Sequence, residues 1–371
     1  MLLSLGGLLF ASQAGAQEGG LKVKGDFRLR YETNSNLLPD PARLQDNTQN
    51  RAVVRFRAGI SQNINEYVGF GVRVTTGDPG DPNTADVTLG SFLDDLAISL
   101  DLAYLDVHRD GFYAAGGKFA NPFQRTDLVW DDDVNPQGAT ASYTLKRSKK
   151  FTPKLSGIYF IIDEFSTREI QDSRMGGGQL AFDLRPNPDL GVKVAGGYYD
   201  YDITELGSGA VSGDARSNNI VVIDSSGTTR RYGYVSDFQL LDVVGSVDLK
   251  GFGEDYPIRF VGDYVKNLGA NVPEDQGFML DLYVGRASKK HDRRLSYGYA
   301  QCYTDAVFAA FSNDNTTIPT NYEQHTVTAD YVALENTTLN LTWYYHRILN
   351  PSGAESDKWV SRLRLNAVVT F

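Results

Sequence analysis

The amino-acid sequence predicts an all-β protein, a transmembrane antiparallel β-barrel of about sixteen strands. Three observations predict it. Apolar and polar residues alternate with a period of two from residue 21 to the C-terminus. The connections between the alternating segments are short and long in turn, as in barrels with brief turns at one end and free loops at the other. Beyond the N-terminus no apolar run is long enough for a membrane-spanning helix, and the mean hydropathy is -0.32.

Composition removes several other classes. The single cysteine among 371 residues cannot form an internal disulfide, and four scattered histidines do not supply a structural zinc cluster. A net charge of -10 leaves no overall basic field to gather nucleic acid by neutralising phosphates.

The chain opens with an apolar stretch, 2–11, followed by Ala14-Gly15-Ala16, the small-x-small pattern at which a signal peptide is cleaved. Residues 1–16 are therefore read as a signal peptide and 17–371 as the exported barrel. The positive charge usual at the start of such a peptide is missing, so Met1 is either the initiator or an internal start.

The first strand is expected at 22–32, where Leu21, Val23, Gly25, Phe27, Leu29 and Tyr31 alternate with Lys22, Lys24, Asp26, Arg28, Arg30 and Glu32. Such a strand separates two very different solvents. Similar segments follow near 52–63, 68–76, 97–108, 111–118, 139–147, 153–162, 175–184, 190–200, 235–249, 258–266, 277–286, 295–302, 323–333, 337–346 and 359–371. That is about 22 residues per strand, whereas soluble sandwiches carry turn signals every 8–12 residues or so. Tight turns are expected at 63–67, 108–111, 185–189 and 334–336, and long loops at 33–51, 77–96, 119–138, 201–231 and 303–322. Eighteen strands result if the last two of those loops hide a pair.

A sheet in hydrocarbon cannot leave an edge of unpaired backbone groups, each of which would cost several kcal/mol, so it must close. With about sixteen strands the cylinder is too wide for side chains to fill, and a water-filled interior with inward polar residues follows. This is how a chain with 41% hydrophobic residues can be an integral membrane protein. Aromatic residues make up 12%, and Tyr31, Tyr67, Tyr104, Tyr143, Tyr331 and Trp359 near strand ends suit belts at the two lipid interfaces.

Three stretches resemble a known family. They are Gly25-Asp26-Phe27-Arg28-Leu29-Arg30-Tyr31-Glu32 followed by 51–57; Gly117-Lys118-Phe119-Ala120-Asn121-Pro122-Phe123 with 127–138; and the terminal Phe371. Together they resemble the bacterial "putative porin" family of outer-membrane barrels, over essentially the whole mature chain. The resemblance implies a passive diffusion channel for small hydrophilic solutes or ions in the outer membrane of a Gram-negative cell. It implies outer-membrane lipid around the barrel, no cofactor, and a barrel that is a monomer or a homotrimer. Phe371 looks like the signal read by the barrel-assembly machinery.

The candidate selectivity site is a wall of cations opposite a loop of anions. Arg28 and Arg30 share the polar face of the first strand, Arg55 and Arg57 that of the second, and Arg73 that of the third. The lumen is the direction open to them, because Arg on the lipid face near the midplane would cost about 2–4 kcal/mol. Lys118 stands at the end of the fifth strand. Loop 119–138 carries Asp127, Asp131, Asp132 and Asp133 around Trp130. It is the third long loop, which in sixteen-stranded porins commonly folds into the barrel and narrows it. A field between these acids and the arginines would orient dipolar solutes and screen ions by charge. The competing reading has the acids capping a surface loop or pairing with Arg125 and Lys118. Inward acids Asp26, Asp183, Asp263 and Asp330 oppose the arginines, and the expected net preference is for anions.

Three other readings compete with the channel. A calcium site at 131–133 lacks the alternating ligands and glycine of a dedicated loop. A barrel hydrolase would need an organised set such as His325 with Ser312, or His346 with Asp357, and neither pair sits in a motif. A structural or adhesive barrel with a blocked lumen would need a plug, and only about five residues separate the signal from the first strand. Segment 207–229 is polar and flexible by composition.

Overall fold

The structure, a computed structural model, describes residues 20–35, 48–81, 83–90, 95–145, 148, 150–164, 171–204, 206, 217–224, 231–316, 318–351 and 357–371. The proposed signal peptide lies outside the described residues, as does most of segment 207–229.

Sixteen strands form the barrel: β1 (Lys22–Ser35), β2 (Gln49–Asn63), β3 (Val68–Thr76), β4 (Ile98–Arg109), β5 (Phe112–Lys118), β6 (Gln137–Thr144), β7 (Phe151–Asp163), β8 (Ser173–Asn187), β9 (Leu190–Asp202), β10 (Phe238–Leu249), β11 (Ile258–Asn267), β12 (Gln276–Gly285), β13 (Arg293–Cys302), β14 (Tyr322–Leu334), β15 (Thr337–Ile348) and β16 (Val360–Thr370). Each pairs antiparallel with the next. The last pairs with the first, Asp26 opposite Thr370 and Ser35 opposite Ser361. The cylinder is closed and has no free edge.

A short strand, Val87–Thr88, adds to β2 opposite Val54 and Val53. A separate hairpin, Ile220–Asp224 with Arg231–Tyr234, stands outside the barrel sheet. This hairpin is the strand pair found at loop 201–231, and the described part of 303–321 holds only a short 3-10 turn, Ala309–Phe311. The closed sheet therefore has sixteen members and not eighteen.

Burial follows the two-solvent logic. On β16, Arg362, Arg364 and Asn366 are buried, while Leu363, Leu365 and Val369 are exposed. The contrast is 5% for Arg364 against 54% for its neighbour Leu365. Polar groups are inside and aliphatic groups outside, as a lipid-embedded, water-filled barrel requires.

Strand β4 departs from strict alternation. The register of β3 against β4 shifts between Arg73 and Val74, leaving an extra residue in β4 at Asp101-Leu102. This bulge exchanges the faces: Ile98 and Leu100 point outward before it, and Leu105 and Val107 after it. It also corrects one belt assignment. Tyr104 is turned inward, where its ring lies over Gly71 and packs against the buried core.

The turns at the short end are tight. Asp110 and Gly111 adopt positive φ (47° and 90°) in a two-residue hairpin, as type I′ turns demand. At the seam, Phe371 and Gly25 exchange backbone hydrogen bonds of 3.0 and 2.9 Å. The Phe371 ring covers Gly25 so closely that a Cβ there would lie 2.3 Å from it.

Candidate functional site: a charged wall and a loop across the lumen

The path of loop 119–136 begins at two glycines. Gly117 on β5 and Gly138 on β6 face each other in the ladder, with φ of 117° and 140°. A Cβ on either would sit 2.2–2.3 Å from a neighbouring carbonyl oxygen. This paired kink turns the chain off the barrel wall.

From there the loop crosses the interior. The Gln124 backbone N–H donates to Gln179 on β8 (2.7 Å), and Thr126 Oγ1 donates to Asp263 on β11. At its far end Asp133 accepts from Arg57 on β2 (2.8 Å), and Asn135 Nδ2 donates to Asp101 on β4 (2.6 Å). Strands β2 and β11 are seven places apart the short way round sixteen, so the loop spans the lumen nearly as a diameter.

An apolar core holds this chord in place. Phe119, Phe123, Leu128, Val129, Trp130 and Val134 pack with Phe160, Tyr199, Tyr201, Phe238 and Leu240 of the wall. Val307, Phe308 and Phe311 of loop 303–321 join them. One side of the lumen at the long-loop end is thus filled by a hydrophobic core made of two loops and the strands behind them.

The other side is charged. Arg28, Arg30, Arg55, Arg57 and Arg73 lie on the inner faces of three adjacent strands, and each meets a carboxylate. Asp26 accepts from Arg55 (3.0 Å) and Arg57 (2.6 Å). Arg73 pairs with Asp101. Of the three consecutive acids in the loop, Asp133 is the one at the wall, 2.8 Å from Arg57 and 3.8 Å from Arg55. Asp132 pairs instead with Arg125 (3.1 Å). Asp131 is turned into the loop and accepts from the Asp133 N–H (2.8 Å). Lys118 Nζ donates to the Asn135 carbonyl (3.1 Å), tying the loop's exit to β5.

Several participants were not singled out from sequence. Asp86, in the loop after β3, bridges Arg28 and Arg30, with 2.6 Å to Arg30. Glu32 gathers Arg51 and Arg364, with Arg362 at 3.6 Å. Asn315 of loop 303–321 accepts from both Arg362 and Arg364 at 2.8 Å and donates to Asp127 at 2.9 Å. Asp242 and Asp281 join Asp263, which the sequence already placed facing inward, in a second row of acids along the wall at β10 to β12. The Arg362 and Arg364 signal was present in the alternation of the last strand. Their link to Glu32 required knowing that the last strand pairs with the first.

Electrostatics divides the loop acids into two groups. Burial pushes Asp86, Asp127, Asp131, Asp133 and Asp314 up. For Asp86 the guanidiniums of Arg28 and Arg30 outweigh burial and hold the carboxyl well below the usual range. Arg57 and Arg55 do the same for Asp133. For Asp127 and Asp131 burial together with neighbouring carboxylates, including Asp314 for both, outweighs the pull of Arg125 on Asp127 and of the Asp133 N–H on Asp131 and keeps them well above it. Asp314 is pushed up to about 6 by burial, against the pull of Arg364.

Ser312 and His325 turn to other partners than each other. Ser312 donates to backbone carbonyls of Ala309 and Pro319, whereas His325 pairs with Tyr297 (2.8 Å). Among the described residues no group of three or more His, Cys, Asp or Glu is placed to hold a metal ion.

Comparison with known proteins places this architecture. A model of the family described as "Putative porin" matches residues 10–367. The chain belongs to that family. Among solved structures, this porin is similar in fold to OprB of Pseudomonas putida, at a TM-score of 0.62 and 11% identity over 95% of this chain and 94% of that one. It is also similar to OmpT, an outer membrane protein of Vibrio cholerae: a loop-deletion mutant aligns at a TM-score of 0.55 and 12% identity over 95% and 99% of the two chains. The trimer form of OmpT aligns at 0.52 and 12%, over 96% and 100%. No curated protein matches the chain. Family and fold together indicate a porin-type outer-membrane channel.

Proposed function

We propose that this porin passes small hydrophilic solutes or ions passively through a water-filled lumen, narrowed by loop 119–138, in the outer membrane. The observation that carries the reading is the loop that crosses a closed sixteen-stranded barrel and brings Asp133 onto Arg55 and Arg57. Fixed charge in a narrow, partly dehydrated passage selects among permeating ions far more strongly than charge on an outer loop. Arg28, Arg30, Arg55, Arg57, Arg73 and Lys118, with Asp131, Asp132 and Asp133, are the proposed selectivity residues. The arginine wall sets eight guanidiniums against five carboxylates that they touch among the described residues, which supports a preference for anions.

The same reading includes cleavage of residues 1–16, assembly through Phe371 by the barrel-assembly machinery, and a trimer of this chain, in the manner of the OmpT trimer form. A second reading, a barrel without an open pore, is favoured by the full burial of Trp130 within the lumen. Liposome swelling separates the two. Proteoliposomes diluted into iso-osmotic arabinose should swell faster than those diluted into a tetrasaccharide. Swelling no faster than protein-free liposomes in either sugar would establish the blocked barrel.

A further inference from the structure

We propose that Arg28 and Arg30 form an exchange site for small organic carboxylates, which the side chain of Asp86 fills when no solute is bound. The proposal rests on the porin reading above and adds a substrate class to it.

The two guanidiniums come from successive inward positions of β1, and each takes one oxygen of the same carboxylate. Guanidinium groups match a planar carboxylate in this two-point fashion better than they match a spherical halide. The acid that fills the site is not part of the wall. Asp86 belongs to the segment between β3 and β4, which is fastened to the upper part of β2 by Val87–Thr88 and by the Leu89 N–H to the Ala52 carbonyl.

Glu32 shows what a permanent counter-charge looks like in the same barrel. It grows from β1, is fully buried, and is clamped by Arg51, Arg364 and Asn34. By contrast the side chains of Asp86 and Arg28 keep 15% and 16% of their surface open. The Arg28 Nε–H is buried and has no acceptor among the described residues, so this site holds a donor that the tethered carboxylate does not satisfy. A free carboxylate seated slightly differently would reach it.

The tether also explains how a solute could leave. A tethered acid competes at an effective concentration on the order of millimolar, which weakens capture of a passing anion to the level that conduction needs. The next step down the wall is Arg55, directly opposite Arg28 in the register, with 12% of its side chain open.

The test uses the full-length protein in planar bilayers, carrying current in potassium chloride, with potassium acetate added at constant ionic strength. Replacing the tethered acid, Asp86→Asn, should lower the acetate concentration that halves the chloride current by tenfold or more. Arg28→Gln should raise it severalfold above the native value. An Asp86→Asn channel with normal chloride conductance and an unchanged acetate response overturns the proposal while leaving the porin reading intact. No chloride conductance from the native protein overturns both. If Asp86→Asn fails to insert, Asp86→Glu, which keeps the charge but seats it differently, gives the same reading: a shifted acetate response supports the site and an identical one overturns it. Inorganic phosphate halving the Asp86→Asn current at lower concentration than acetate overturns the carboxylate assignment.

Discussion

Trp130 lies parallel to Phe311, 8° between their planes and 5.9 Å between ring centroids, and this stack joins the loop that crosses the lumen to the loop between β13 and β14. Trp130 also stacks on Tyr201 and meets Tyr199 edge-on. With no exposed surface it is the anchor of the chord. Trp130→Ala removes an aromatic side chain from a packed core, a change that costs roughly 3–5 kcal/mol. The closed sheet should survive, because its ladder does not depend on this ring. Single-channel recordings should show larger and noisier open currents, with heat-modifiable migration on gels retained.

The ion pairs predict selectivity shifts of opposite sign. Replacing Asp131, Asp132 and Asp133 by Asn should move the reversal potential toward anions, and replacing Arg55 and Arg57 by Gln should move it toward cations. Asp133 touches the wall and the other two do not, so Asp133→Asn alone should carry most of the first shift. Screening at ~0.1 M salt acts over about 10 Å, so charges on distant loops should have little effect.

The sixteen strands were legible because two unlike solvents impose alternation on every segment between them. The closure of the seam and the tight turns followed from the same constraint. Asp86 was hidden because loop 77–97 has no period to read, and its partners stand 58 and 56 residues earlier. Arg362 and Arg364 alternate visibly, yet their meeting with Glu32 depends on barrel closure more than 300 residues along the chain. The bulge at Asp101-Leu102 was masked because both residues of a bulge look like strand residues. Loop packing was the least legible part: Phe308 and Phe311 are unremarkable in sequence and become the core only when loop 119–136 folds onto them.

Acidification offers a third test. Asp314 carries a pKa near 6 against an ordinary 3.8, because burial and the nearby Asp133 and Asp86 carboxylates outweigh Arg364. The folded state therefore binds more protons than the unfolded state between about pH 4 and 6, and stability should rise as pH falls through that window from this group alone. The pore meanwhile loses negative charge. Between pH 7.5 and 5 the reversal potential should move toward anions, and Asp314→Asn should reduce that movement.

At the seam, Phe371 lies over Gly25 and completes the hydrogen-bond ladder between the two ends of the sheet. Deleting Phe371 removes both the ring and the ladder partner. The level of heat-modifiable protein in outer-membrane fractions, at native expression, should fall severalfold. Gly25→Val should show a milder form of the same defect, because its side chain takes the space of the ring. Undiminished levels of the truncated protein would reduce Phe371 to one more outward side chain.

The central claim is that a channel remains open beside the crossing loop, along the arginine wall. Single-channel current of the purified protein in a planar bilayer, with the reversal potential taken across a potassium chloride gradient, tests it most directly. The account predicts discrete conductance steps and a reversal potential on the anion side. Protein that migrates as a folded, heat-modifiable barrel but inserts without any conductance would contradict it, and would mean that the loops close the lumen.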